Sequence, residues 1–258
     1  MIENIPSILG LSQDAFMIGF LVFLRVGAMM AVLPAFGERS IPQRIRIVLA
    51  LCFSIVVAPA VASDVFSVAS QQGIIGKALI TEVVAGLALG FILRMFVMIL
   101  EMAGAIIAQS TSLSQMFGGG AVDAQPVVGH LLLVGGLALA AMLDLHVRVV
   151  EIVIMSYKFI PAGTFIGGAE LSQWGLQHIR TGFSMAFSLS APFVIASLVY
   201  NVALGVINRA MPQLMVAMVG APAITLGGMV LMFITLPLLL QIWRHGFDVL
   251  LMNPFEVL

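Results

Sequence analysis

Residues 181–208 read TGFSMAFSLSAPFVIASLVYNVALGVIN, and residues 210–243 read AMPQLMVAMVGAPAITLGGMVLMFITLPLLLQIW. Neither run contains a charged side chain, and only Arg209 stands between them. A helix needs roughly 20 mostly apolar residues to cross the hydrocarbon core of a bilayer, and each run exceeds that. Pro212 cannot continue a helix, so the pair reads as a helical hairpin turning at Met211-Pro212-Gln213.

The same pattern extends upstream with more interruptions. Residues 15–35 are apolar except for Arg25, and residues 47–62 form a short second run ending near Pro59. Residues 74–108 are long and apolar but carry Lys77, Glu82, Arg94 and Glu101. Residues 127–143 make a further run that extends as a helix toward 155. The expectation is an all-α membrane-type fold of about six long hydrophobic helices arranged in hairpins. Three connectors separate them. Residues 36–46 hold Arg39, Arg44, Arg46 and Pro42, and residues 109–126 are polar and glycine-rich. Residues 161–178 open on Pro161-Ala-Gly163 and include Gly167, Gly168 and Trp174.

Composition fixes the solvent. Of 258 residues, 61% are apolar and 9% are charged, with a mean hydropathy of +1.16. A soluble domain carries about 25% charged residues, so this chain cannot cover its surface against water. The formal net charge is −1 and the 11 Lys and Arg are scattered, which gives no footprint for nucleic acid. The single Cys52 excludes an internal disulfide. Glu3 and Asp14 precede the first apolar run where a signal peptide would be basic, so that run reads as a retained span. The positive-inside rule places the 36–46 loop in the cytoplasm. Alternate counting then puts Arg39, Arg44, Arg46 and Arg209 on that side and Lys77, Lys158, Arg180 and Arg244 on the other. The tie fixes no orientation and suggests something other than an ordinary spanning protein.

Charges in apolar helices need partners. A lone charge facing lipid costs about 2.5–3.5 kcal/mol on insertion scales. Arg25, Glu82, Arg94 and Glu101 therefore read either as an ion or proton relay or as ion pairs across helices or between subunits. Pairing is the simpler expectation, because no second cluster of carboxylates or histidines accompanies them. The four histidines, His130, His146, His178 and His245, lie in separate segments without metal-ligand spacing, so no metal or other cofactor is expected. No phosphate loop, nucleophile elbow or dinucleotide fingerprint occurs, and the expectation is a protein that is not an enzyme. Gly86 and Gly90, and then Gly104 and Ala108, place small residues four apart, a spacing that lets helix backbones approach closely. Met95, Met98 and Met102 share a face, as do Met211, Met215 and Met218, which suits either packing or sealing.

Polar backbone inside so apolar a chain survives only where protein buries it or where it lines a water-filled cavity. The segment Gln109, Ser110, Thr111, Ser112, Leu113, Ser114, Gln115, Met116, Phe117, Gly118, Gly119, Gly120 therefore reads either as a loop that plugs a pore with a Met-Phe tip or as a surface connector.

Several segments together resemble the FliR family of flagellar export proteins. They are Leu24-Arg25-Val26, Leu33-Pro34, Glu38-Arg39-Ser40-Ile41-Pro42 and Arg44-Ile45-Arg46, then Gly104 to Ala108, Asp144-Leu145-His146, Ser156 and Pro161-Ala-Gly163. In the C-terminal hairpin they are Ala191-Pro192, Asn201, Leu204-Gly205, Asn208-Arg209, Pro212-Gln213-Leu214, Gly220 and Pro222. The sequence departs from the family pattern in Gly118–Gly120 and in Asp144 before His146. The resemblance implies a structural and gating subunit of the flagellar type III export apparatus in the bacterial inner membrane, partly above the bilayer plane on the periplasmic side. It implies a conical assembly with FliP and FliQ, wrapped by FlhB above FlhA, through which unfolded flagellar subunits pass. It further implies a FliP-like part over residues 1–180 with the pore loop at 109–120, and a FliQ-like hairpin over residues 181–258. Arg25, Arg39, Glu82, Arg94, Glu101, Asn201, Arg209 and Gln213 are the candidate interface or buried-charge residues. A homologous subunit of a virulence secretion system would share this fold. A secondary transporter would instead use the four charges around a midplane site with an inverted repeat, and no such repeat is visible.

Overall fold

The computed structural model describes residues 5–37, 41–70, 75–112, 127–211 and 216–255. The described residues form seven helices: α1 (Ile5–Val32), α2 (Gln43–Ala69), α3 (Ile75–Ser112), α4 (Val127–Met142), α5 (Leu145–Phe159), α6 (Gly168–Ala210) and α7 (Val216–Met252). The all-α expectation holds. Five helices are long and apolar enough to cross a membrane, or up to six spans if α4 and α5 count as one broken span.

The helices outrun the apolar runs that predict them. Helix α2 does not stop near Pro59 but continues ten residues to Ala69, and α6 and α7 likewise contain Pro192, Pro222 and Pro237. Away from water an unpaired backbone group costs several kcal/mol, so a chain gains by resuming the helical ladder past a proline. Helix α3 likewise absorbs Gln109–Ser112, expected to open the polar loop. The Ser110 hydroxyl donates to the Ile107 carbonyl at 2.8 Å, and the Thr111 hydroxyl lies 3.1 Å from the carbonyls of Ile107 and Ala108. These back-bonds satisfy the hydroxyls without unwinding the turn. The 161–178 connector is also partly helical, since α6 begins at Gly168. The run from 127 to 155 instead breaks at Asp144, which sits in the left-handed region at φ 55° and ψ 42°. Aspartate is among the few residues besides glycine that visit that region routinely.

The chain divides into two compact units, each drawing on separated segments. The first comprises the described residues within Met1–Met95, Ala141–His178 and Leu250–Leu258. There α2 packs on α1 and α5 through one stripe, Ala50, Ser54, Val57, Val61, Val65 and Ala69. Gly86 and Gly90 of α3 face α1: a Cβ on Gly86 would overlap the Arg25 carbonyl, and one on Gly90 would come within 2.6 Å of the Met29 carbonyl. The Gly-x-x-x-Gly pair thus marks a close helix crossing. Helix α5 turns Leu145, Val149, Ile152 and Val153 inward, while His146, Arg148, Glu151 and Lys158 are exposed. Trp174 donates from Nε1 to the Pro254 carbonyl at 2.9 Å and stacks on Phe255, which stacks on Phe159.

The second unit comprises the described residues within Phe96–Ala140 and Ile179–Val249. Gly104 of α3 meets Gly129 of α4 backbone to backbone. The Trp243 indole donates to the Phe96 carbonyl at 3.0 Å and stacks on Phe247, with ring centroids 5.0 Å apart. The Tyr200 hydroxyl donates to the Gly220 carbonyl at 3.0 Å, tying α6 to α7 near their joint. The outer sides of both helices are bare. Phe187, Leu198, Val206, Met229, Phe233 and Ile234 are all exposed, Phe233 by 84%.

We expect Gly86→Ala to destabilise the protein by about 1–3 kcal/mol, because the added methyl meets backbone that cannot yield cheaply. Gly19→Ala, where a Cβ meets nothing within 4 Å, should be neutral or slightly stabilising. Thermal unfolding of the two variants in detergent, read by circular dichroism, checks the contrast.

Candidate functional site

The polar centre of the first unit is built from three helices and a turn. Arg25, in the C-terminal half of α1, has a fully buried side chain and so has Glu82 of α3. They meet as a fork: Nε donates to Glu82 Oε2 at 2.8 Å and Nη2 donates to Oε1 at 3.0 Å. Nη1 donates to the Ser156 hydroxyl at 2.9 Å, and Nη2 also donates to the Ile160 carbonyl at 3.0 Å. The guanidinium carbon lies 3.7 Å from the centroid of the Tyr157 ring, a cation–π contact. The carboxylate is equally occupied. Oε2 also accepts from the Tyr157 hydroxyl at 3.1 Å, and Oε1 accepts from the Gly163 amide at 3.4 Å.

The local sequence explains why this turn can reach the carboxylate. Gly163 has φ +70°, a conformation that favours glycine, and Pro161 precedes it. Ser156 and Tyr157 are adjacent on α5, so one points its hydroxyl at the guanidinium while the other covers it with a ring. Two charges removed from water lose several kcal/mol each, and only good geometry with every polar atom satisfied offsets that. Here both carboxylate oxygens accept two hydrogen bonds each. Chemically the arrangement is closed. Arginine does not release a proton in proteins, and the carboxylate has no water-facing edge, so the pair is a clasp and not a relay.

The remaining sequence candidates go elsewhere. Arg94 donates from Nη1 to the Val32 carbonyl at 3.4 Å, capping the C-terminus of α1. Glu101 is exposed on α3, so it is not a buried charge, and it has no ion-pair partner among the described residues. Asn201 donates from Nδ2 to the Ser197 carbonyl at 2.8 Å within α6. Arg209 is exposed in the last turn of α6, where a cation is favourable. Gln109 is exposed and Ser110 is buried in α3, whereas Leu113–Gly120, Arg39 and Gln213 lie outside the described residues. Among the described residues no three His, Cys, Asp or Glu side chains gather as metal ligands would. Tyr157 was not legible as a site residue, since nothing in the sequence links it to a carboxylate 75 positions away. Ser156 and Gly163 were legible only as points of resemblance.

Three of the residues that carry the resemblance, Arg25, Ser156 and Gly163, therefore converge on one network. The sequence pattern described as bacterial export proteins, family 1, matches residues 16–250. The chain belongs to that family. It is 33% identical to the flagellar biosynthetic protein FliR of Caulobacter vibrioides over 90% of this chain and 93% of the relative. It is 27% identical to that of Escherichia coli K12 over 89% and 88%, and 24% identical to that of Bacillus subtilis 168 over 91% and 92%. This member of the family is a membrane component of the flagellar type III protein export apparatus.

Removing one partner of the clasp leaves a buried charge unpaired, so Arg25→Met is expected to cost about 3–5 kcal/mol. The double variant Arg25→Met with Glu82→Leu should recover most of that loss. Comparing the amounts of folded protein and the unfolding midpoints of single and double variants checks this. A double variant as impaired as the single would show that the charges themselves are needed.

Proposed function

We propose that this chain is a non-enzymatic wall-and-seal subunit of the pore through which unfolded flagellar proteins are exported. The observation that carries the reading is uncovered apolar surface. In the most apolar stretches of α6 and α7, only 17% of residues are buried within the chain. Such surface needs lipid or other subunits against it, and the small-residue crossings at Gly86 and Gly104 show that this chain packs helices by close backbone approach. The closed state of the Arg25–Glu82 clasp supports the same reading, because it takes the two fully buried charges out of any transport cycle.

Within this proposal the partners are FliP and FliQ in the same ring, FlhB around it and FlhA below. The site is the bacterial inner membrane at the flagellar basal body, partly above the bilayer plane. Residues 1–180 correspond to a FliP-like part and residues 181–258 to a FliQ-like hairpin. Gln109–Gly120 would supply the seal, with Met116 and Phe117 at its tip, and Glu101, Arg209, Asn201, Gln213 and Arg39 would serve subunit contacts.

Native mass spectrometry of the chain co-expressed with its neighbouring membrane genes tests the assembly. One copy bound to several copies of each of two smaller partners is expected, whereas a chain purifying alone or as a homodimer would overturn the reading. For the seal, Phe117→Ala is expected to raise ion conductance through the closed complex in planar bilayers. Unchanged conductance would remove the plug assignment while leaving the assembly intact.

A further inference from the structure

The second unit contains an open hole between α6 and α7. Its volume is about 370 Å³, within the range of about 300–1,000 Å³ usual for binding sites. Phe193, Ser197 and Ile224 line it and are buried, whereas Ala196, Ala223 and Gly227 line it and are exposed, so the deep part is sealed and the rim is open. The rim side chains are too small to close it, and a Cβ on Gly227 would meet nothing within 4 Å. Thr111, in the last turn of α3, also lines the hole, and a Cβ on Gly228 of α7 would overlap its methyl.

The polar groups of the hole have one chemical character. The Ser197 hydroxyl donates to the Val194 carbonyl at 3.0 Å, and Tyr200, which also lines the hole, donates to the Gly220 carbonyl at 3.0 Å. The Thr111 hydroxyl lies 3.1 Å from the carbonyls of Ile107 and Ala108. A hydroxyl has a single proton to give, so the three oxygens keep lone pairs and have nothing more to donate. The hole accepts hydrogen bonds and does not supply them. Charge is absent from its two helical walls as well. Residues 181–208 and 216–243 contain no charged side chain, so a cation entering the hole would meet no anion on either wall.

We propose that the hole receives one large side chain from an apolar helix of a neighbouring subunit, and that this side chain ends in a neutral donor, an indole N–H or a carboxamide. The inference rests on the reading that α6 and α7 meet other subunits of the export assembly. Val199, Leu226 and Val230, each within a turn of a rim residue in sequence, are more than half exposed, so an incoming helix finds apolar surface around the hole as well as in it. A charged side chain would lose its hydration there without gaining a partner, and an acyl chain brings no donor to the three oxygens. Small residues at the rim let a neighbouring helix approach closely enough to seat such a side chain.

The test uses the assembled complex purified from cells making flagella. A photoreactive diazirine side chain is placed at Val230, and the cross-linked peptide is sequenced by mass spectrometry. The expected product is a peptide from a second membrane subunit, in a charge-free apolar stretch that holds a Trp, Asn or Gln. Gly227→Leu fills the hole with a better helix former, so it should fold normally by circular dichroism and lower the recovered complex about tenfold. Thr111→Val with Ser197→Ala removes two acceptors and should lower recovery about fivefold while the protein still folds. A peptide from residues 113–126 of this chain, adducts with lipid alone, or a partner peptide lacking such a donor would overturn the proposal. So would an undiminished complex with folded Gly227→Leu. An unaltered chain that purifies without any partner would overturn the assembly reading along with it, which separates the two failures.

Discussion

The burial of one arginine in the first apolar helix constrains the rest of its unit. Arg25 cannot face lipid or an apolar interior alone, and α1 offers it no partner of its own. Glu82 must come from α3, which requires α1 and α3 to lie close, and Gly86 permits that approach one turn further on. Once the pair is made, its unused hydrogen-bonding capacity draws in Ser156, Tyr157, the Ile160 carbonyl and the Gly163 amide. The last two belong to the turn leading into α6, so a single ion pair also ties down the chain as it leaves α5. The contribution is to specificity more than to net stability, since a buried ion pair roughly breaks even against apolar packing.

That economy clarifies what kind of machine this is. A transporter keeps its buried charges accessible in turn to each side of the membrane. Here the charges are locked to each other, and what is left open is apolar surface on α2, α6 and α7. A chain whose first unit is held by an internal clasp and whose helices expose apolar surface is suited to being a component of something larger. Its membership among bacterial export proteins places it in such a machine.

Much of the fold was legible because the solvent leaves little choice. Where backbone must be satisfied internally, long charge-free runs have to be helices, and 181–208 and 216–243 are. The errors at Pro59 and at Gln109–Ser112 share a cause: rules for breaking helices come from chains in water, where a lost backbone bond is replaced by a water. Asp144 was the reverse case, a break inside a run that looked continuous, set by one residue able to adopt a left-handed conformation. At the site, pattern alone identified Arg25 and Glu82 as charges in need of partners. It could not pair them, because the loops between them leave the register of α1 against α3 open until Gly86 and Gly90 are seen to face Arg25 and Met29. Tyr157 stayed invisible for the same reason.

The claim that these uncovered helices are interfaces is tested most directly at Phe233, the most exposed large apolar side chain among the described residues of α7. A photoreactive benzoylphenylalanine placed there in cells assembling flagella will cross-link to whatever covers it. The account predicts discrete adducts with other membrane proteins of the export apparatus. Adducts with lipid alone, in a strain that exports and swims normally, would contradict it.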